Sequence, residues 1–153
     1  MPAEFAVHVD DEEVRLDLAN LAEACRDTLP FMEDVAAHMM ASVGKNFSEE
    51  ASPSGEPWAP LAPTTVAQRR KNSSRILQDT GQHLRDTISP EVTPARVRIG
   101  PHWNLSAVHQ FGTNRAGRGN STTIPARPFL GFRPEDQPTI EQLAKSHVEK
   151  ALR

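Results

Sequence analysis

FMEDVAAHMMASVGKNF, residues 31–47, places Met32, Val35, Ala36, Met39, Val43 and Phe47 on one face of a helix. Apolar residues three and four apart make a stripe that has to be covered. The stretch therefore predicts a long helix lying across a sheet. The Met39–Met40 pair belongs to that stripe, although methionine also suits an adaptable contact surface. Upstream, Phe5, Val7 and Val9 alternate at period two and predict a strand over 4–9. Asp10 or Asp11 can cap a second helix over 11–27, and Glu12 and Glu13 suit its positive end. Val14, Leu18, Leu21 and Cys25 share one face of it, which predicts a buried, inert thiol at Cys25. Pro30 ends or bends that helix.

Downstream, residues 48–57 are polar and hold Pro53, Gly55 and Pro57, so they form a loop. Trp58 stands between Pro57 and Pro60, which stiffen the backbone and fix the indole's direction. It serves either as a core plug or as a subunit contact, since tryptophan is favoured at interface centres. Pro63 suits the first position of a helix over 63–71, with Ala62 before it giving no side-chain cap. Arg69, Arg70 and Lys71 complement that helix's negative end. Thr80 can cap a short helix containing Leu84, Arg85 and Ile88.

Residues 88–93 and 96–100 predict a β-hairpin about Thr93-Pro94-Ala95, with Val97 and Ile99 on one face and Arg96 and Arg98 on the other. Trp103 to Phe111 form a short helical or irregular connection, with Val108 and Phe111 facing inward. GTNRAGRGNSTT, residues 112–123, has no apolar residue larger than alanine. Its glycines and the cations Arg115 and Arg118 predict a mobile arm or long hairpin tip, ordered mainly when a partner covers it. Residues 124–131 return as a strand. Pro125 and Pro128 restrict it to a sheet edge, or lead it out of the sheet, with Arg127 held rigidly between them. After a polar turn at 134–138, a final helix over 138–151 aligns Ile140, Leu143, Ala144, His147 and Ala151. The sum is one α+β domain over 1–153: a small, mostly antiparallel sheet on a long helix, with a flexible loop and a C-terminal helix.

Composition narrows the function. Only 37% of the 153 residues are hydrophobic, mean hydropathy is −0.53, and there are 13 prolines and no tyrosine. A core this modest gains order from neighbouring subunits. Residues 1–50 carry 12 acids and 3 bases, whereas residues 51–153 carry 8 acids and 14 bases. Such a division suits opposed faces that meet a charged partner or another copy, as well as plain solvation. One cysteine makes no internal disulfide and no zinc spacing. No signal peptide and no membrane-spanning run is apparent, which implies synthesis in a cytoplasm and no membrane partner. His109 invites a hydrolase role with Asp79 or Asp86, but no nucleophile stands in a recognisable setting. The expectation is therefore no catalytic, cofactor or metal residue. Arg69, Arg70, Lys71, Arg75 and the arm arginines would serve a nucleic-acid-binding module, against which stands a pI near 6.1.

Five stretches occur in fixed order: GEPWAPLAPTT (55–65), ILQDTGQHLRDTI (76–88), VRIG (97–100), AVHQFG (107–112) and IPARPFLGF (124–132). Their order and wording resemble the phage virion morphogenesis family, which contains tail completion proteins of Mu-like and P2-like phages. The family's L-x-x-T-G-x-L-R-x-S-I pattern is met with His83 as an extra residue and Thr87 in place of serine. The resemblance implies a structural virion protein that completes the tail and joins it to the head. It implies a ring of copies, most often a hexamer, at the neck. Its neighbours would be the tail terminator or tube and the head connector, with DNA passing through the lumen. The alternatives are a transient assembly factor or a nucleic-acid-binding module. Trp58, Arg115, Arg118, Pro125, Arg127, Pro128 and Phe129 are the interface candidates, with a core role open for 55–61 and 124–131.

Overall fold

The computed structural model describes residues 11–69, 74–79 and 84–152. In chain order the helices are α1 (Glu12–Arg26), α2 (Leu29–Glu49), α3 (Pro63–Gln68), α4 (Ser106–Phe111) and α5 (Asp136–Ala151). The strands are β1 (Ile88–Thr93), β2 (Arg96–Pro101), β3 (Thr113–Ala116) and β4 (Thr122–Ile124). The protein is α+β, and α2 is its spine. Ala36, Met39, Val43 and Phe47 are buried along the predicted stripe, and the β1–β2 hairpin packs across them. Pro30 does not break a helix here. It sits in the first turn of α2, where its missing N–H costs nothing. Pro63 likewise opens α3, behind the uncapped Ala62.

The hairpin pairs Val92 with Val97 and Pro90 with Ile99, as its Thr93-Pro94-Ala95 turn requires. The Thr28 hydroxyl donates to the Pro94 carbonyl and ties this turn to the α1–α2 junction. The sheet itself differs from expectation. Among the described residues β1–β2 and β3–β4 are two separate two-stranded sheets. Only Thr122–Ile124 of the returning segment is a strand; residues 125–129 carry no regular structure. Pro125 and Pro128 have no N–H to give a ladder. The expected strand at 4–9 and the cap at Thr80 lie outside the described residues. The 112–123 stretch folds as the β3–β4 hairpin, turning through Gly117 and Gly119, which have positive φ.

Phe47 is fully buried at the centre of the core, with Trp58, Ile76, Leu84, Ile88 and Phe129 around it. Trp58 meets it edge-on with ring centroids 5.5 Å apart, and Phe129 lies at 5.6 Å. The turn that delivers Trp58 is built locally. Glu50 adopts a left-handed conformation after α2, Ser52 N–H donates to Glu56 O, and Trp58 N–H donates to Glu50 O at 2.8 Å. Gln78 donates to the Phe47 carbonyl and so occupies one acceptor at the end of α2.

Three expectations about burial fail. Cys25 is exposed, α1 buries no residue at all, and Phe111 is 77% exposed. The apolar stripe of α1 is real, but α5 covers only part of it. Phe111 ends α4 next to Gly112, whose φ of 72° turns the chain away. Truncating Phe47 to alanine should cost about 3–5 kcal/mol of unfolding free energy in urea titration. Phe111→Ala should cost less than about 0.5 kcal/mol. Equal losses would contradict this placement.

Candidate assembly interface

Residues 126–133 are held in place by side chains from elsewhere in the chain. Arg127 N–H donates to the His109 carbonyl at 2.7 Å. The Trp58 indole N–H donates to Pro128 O at 2.7 Å. Gln110 Oε1 accepts from both Phe129 N and Leu130 N, and its Nε2 donates to Leu130 O. Asn46 Nδ2, fully buried on α2, donates to Phe129 O. The segment is thus extended, with its ladder supplied by Trp58, Asn46 and Gln110 instead of by a strand. Gly112 belongs to the same arrangement, because a Cβ there would stand 2.7 Å from Ala126 N.

The Arg127 guanidinium points inward. Its Nε and Nη2 donate to Ala59 O and Pro60 O at 2.8 and 2.9 Å. Burial, and next the charge of Arg69, lower its pKa. The His109 ring stacks on Trp103 at 5.8 Å. Burial first, and then the Arg127 charge, lower its pKa below 6.5. Its Nδ1 has no hydrogen-bond partner among the described residues. Asp79 Oδ1 likewise has no hydrogen-bond partner among the described residues.

A second network fastens α5 to α2. Asp136, fully buried at the start of α5, receives Ser42 Oγ and Arg133 N on Oδ2 and meets His38 Nε2 on Oδ1 at 2.9 Å. Arg133 also donates to Asn46 Oδ1, Glu49 and Glu135. Hydrogen bonds from Lys45 and Arg133 hold the exposed Glu135 carboxyl down at about 2. Sequence patterns do not flag Asn46, Gln110, Arg133 or Asp136. The available signal is Asn46 itself, a polar side chain one residue from Phe47 in an apolar stripe.

Trp58, Arg127 and Phe129 therefore lie in the interior of this chain. Pro128 is half-buried, and Pro125, Arg115 and Arg118 are exposed. The open apolar surface lies elsewhere. A groove of about 560 Å³ runs between α2, β2 and the start of α5, lined by Phe31, Val35, Met39, Val97, Ile99 and Phe132. Phe132 is 71% exposed at its rim, and Arg96 stands at its mouth. Among the described residues no group of acids, histidines or cysteines is placed to hold a metal ion, and no helix is long and apolar enough to cross a membrane.

The model of the phage virion morphogenesis family matches residues 9–149. The Mu-like prophage FluMu G protein 2 of Haemophilus influenzae is 32% identical over 129 residues, 84% of each chain. Tail completion protein S of Escherichia phage P2 is 29% identical over 124 residues, 76% of this chain and 81% of that one. The putative capsid assembly protein G of Escherichia phage Mu is 26% identical over 158 residues, 100% of this chain and 99% of that one. No solved structure matches the chain significantly. The chain belongs to the phage virion morphogenesis family.

Gln110→Leu keeps the bulk and removes three hydrogen bonds from 129–130. It should cost about 2–4 kcal/mol, and amide exchange at Phe129 and Leu130 should accelerate. Unchanged exchange at those two amides would refute the side-chain ladder. His109 supplies a pH test. Above 6.5 the ring is neutral in both folded and unfolded chains. Below it the unfolded chain takes up a proton that the fold resists, so stability falls as pH drops towards the folded value. His109→Gln should flatten the melting-temperature profile between about pH 7 and pH 5 relative to the parent. Parallel profiles would show that burial of His109 has no such effect.

Proposed function

We propose that this member of the phage virion morphogenesis family is a structural virion protein that completes the tail and joins it to the head connector. Family membership over residues 9–149, with a P2 tail completion protein among the relatives, carries this reading. Copies form a ring, six in number, at the head-proximal end of the tail. The tail terminator or tube lies below it, the connector above it, and DNA passes through the lumen.

Several features support the reading. The side-chain ladder and the Asp136 network give a rigid body. The acidic N-terminal third and the basic remainder give surfaces of opposite sign. The β3–β4 hairpin, with exposed Arg115 and Arg118, serves as the mobile arm that reaches an adjacent subunit or the DNA backbone. Its role is structural, not catalytic. The Mu relative's name, a putative capsid assembly protein, favours a second reading as a transient assembly factor.

Deletion of the gene from the phage or prophage that encodes it, followed by cryo-electron microscopy of the particles, separates the two. The expected result is filled heads and separate, uncompleted tails that do not join. Parental particles should show a ring of this chain at the neck. A chain needed for assembly but missing from mature particles would establish the transient role. Normal infectious particles without the gene would end both.

A further inference from the structure

We propose that the first half of α1 is the element one subunit inserts into its neighbour, seated in the apolar groove between α2, β2 and α5. This rests on the reading of the protein as a self-assembling ring. All ten residues from Asp11 to Asn20 are exposed, although they are helical from Glu12 onward. Val14 is 56% exposed, and Leu16 and Leu18 are each 60% exposed. A helix with three such side chains in water has an unfilled requirement for apolar contact. The second half of the same helix is anchored. His147 Nε2 bonds the Ala24 carbonyl at 3.0 Å, and α1 packs against α5. The anchored half fixes where the free half stands.

The occupant follows from charge and from the groove's chemistry. Val14, Asp17 and Leu18 stand at i, i+3 and i+4 and share one face, with Glu13 beside them. The groove offers Phe31, Val35, Val97, Ile99 and Phe132 for two aliphatic anchors, and Arg96 at its mouth for a carboxylate. An apolar helix face with an acidic flank thus matches an apolar groove with a basic mouth. Both lie on this chain. The chain's own α1 does not fill its own groove, since Val14 and Leu18 are exposed. Helix and groove are different patches, so the contact is head-to-tail, the kind that closes into a ring when the rotation permits.

The test uses the full-length protein with Cys25→Ser, the lone thiol being exposed on α1. Leu18→Cys and Arg96→Cys are introduced singly and together and treated with a short bismaleimide, in the concentrated protein and in purified particles. The double variant should give a ladder of covalent oligomers. A mixture of the two single variants should give mixed dimers. Dimers of Leu18→Cys alone would mean that α1 packs on α1, and linkage within one chain would mean that α1 reaches its own groove. Either overturns the proposal, as does the absence of linkage in both preparations. Removal of residues 1–10 must leave the ladder intact; its loss would assign the groove to that segment instead. Asp17→Arg and Arg96→Glu should each weaken self-association by about fivefold in sedimentation, and the pair together should restore it. A ladder in solution with no chain in particles would sink the tail role and leave the contact standing. A neck ring without this linkage would do the reverse.

Discussion

Everything else in this fold depends on the way four residues of extended chain, 127–130, are satisfied without a strand beside them. Two prolines flank or enter the segment, so it cannot carry a regular ladder. Buried backbone groups nonetheless need partners. They find them in the Gln110 amide, the Trp58 indole and the Asn46 amide. Each comes from a different part of the chain. Gln110 sits on α4, Trp58 on the loop after α2, and Asn46 on α2 itself. The segment is therefore a clasp that joins three elements, and Phe129 is pressed onto Phe47 as a result.

The second fastening is electrostatic. A fully buried carboxylate is costly unless its oxygens are occupied. Asp136 meets that condition through Ser42, His38 and the Arg133 amide. Arg133 extends the network to Asn46, so the polar cluster and the clasp share a residue. The start of α5 and the 127–130 segment are thereby locked to the same two turns of α2. The free half of α1, the groove and the basic hairpin are displayed from one stiff frame.

How much of this was legible depends on where the information lies. The α2 stripe, Pro63 and the Val97/Ile99 alternation are local patterns, and each gave the element that was built. α1 was legible as a helix, but the exposure of Val14, Leu18 and Cys25 was not, because α5 meets only part of the apolar stripe. Residues 124–131 alternate as a strand does, and the prolines warned against it. The partners that replace the ladder lie about 20 to 80 residues away, where no periodicity reaches. Arg127 read as a cation held rigidly between two prolines, with nothing local to show that its carbonyl partners come from the Trp58 loop. Asp136 fell in what read as a polar turn, because only the approach of α2 buries it.

A chain segment whose amides and carbonyls are consumed by its own subunit's side chains has nothing left to offer a foreign strand. The β1 strand is blunted in a similar way, with Pro90 in its middle. In the proposed ring, crowded copies would thus be denied backbone pairing along this face, the indiscriminate route to fibres. What remains for recognition is shape and charge. Those can be reversed by salt or by a competing surface, so an ill-matched neighbour could leave before the proposed ring closes around it.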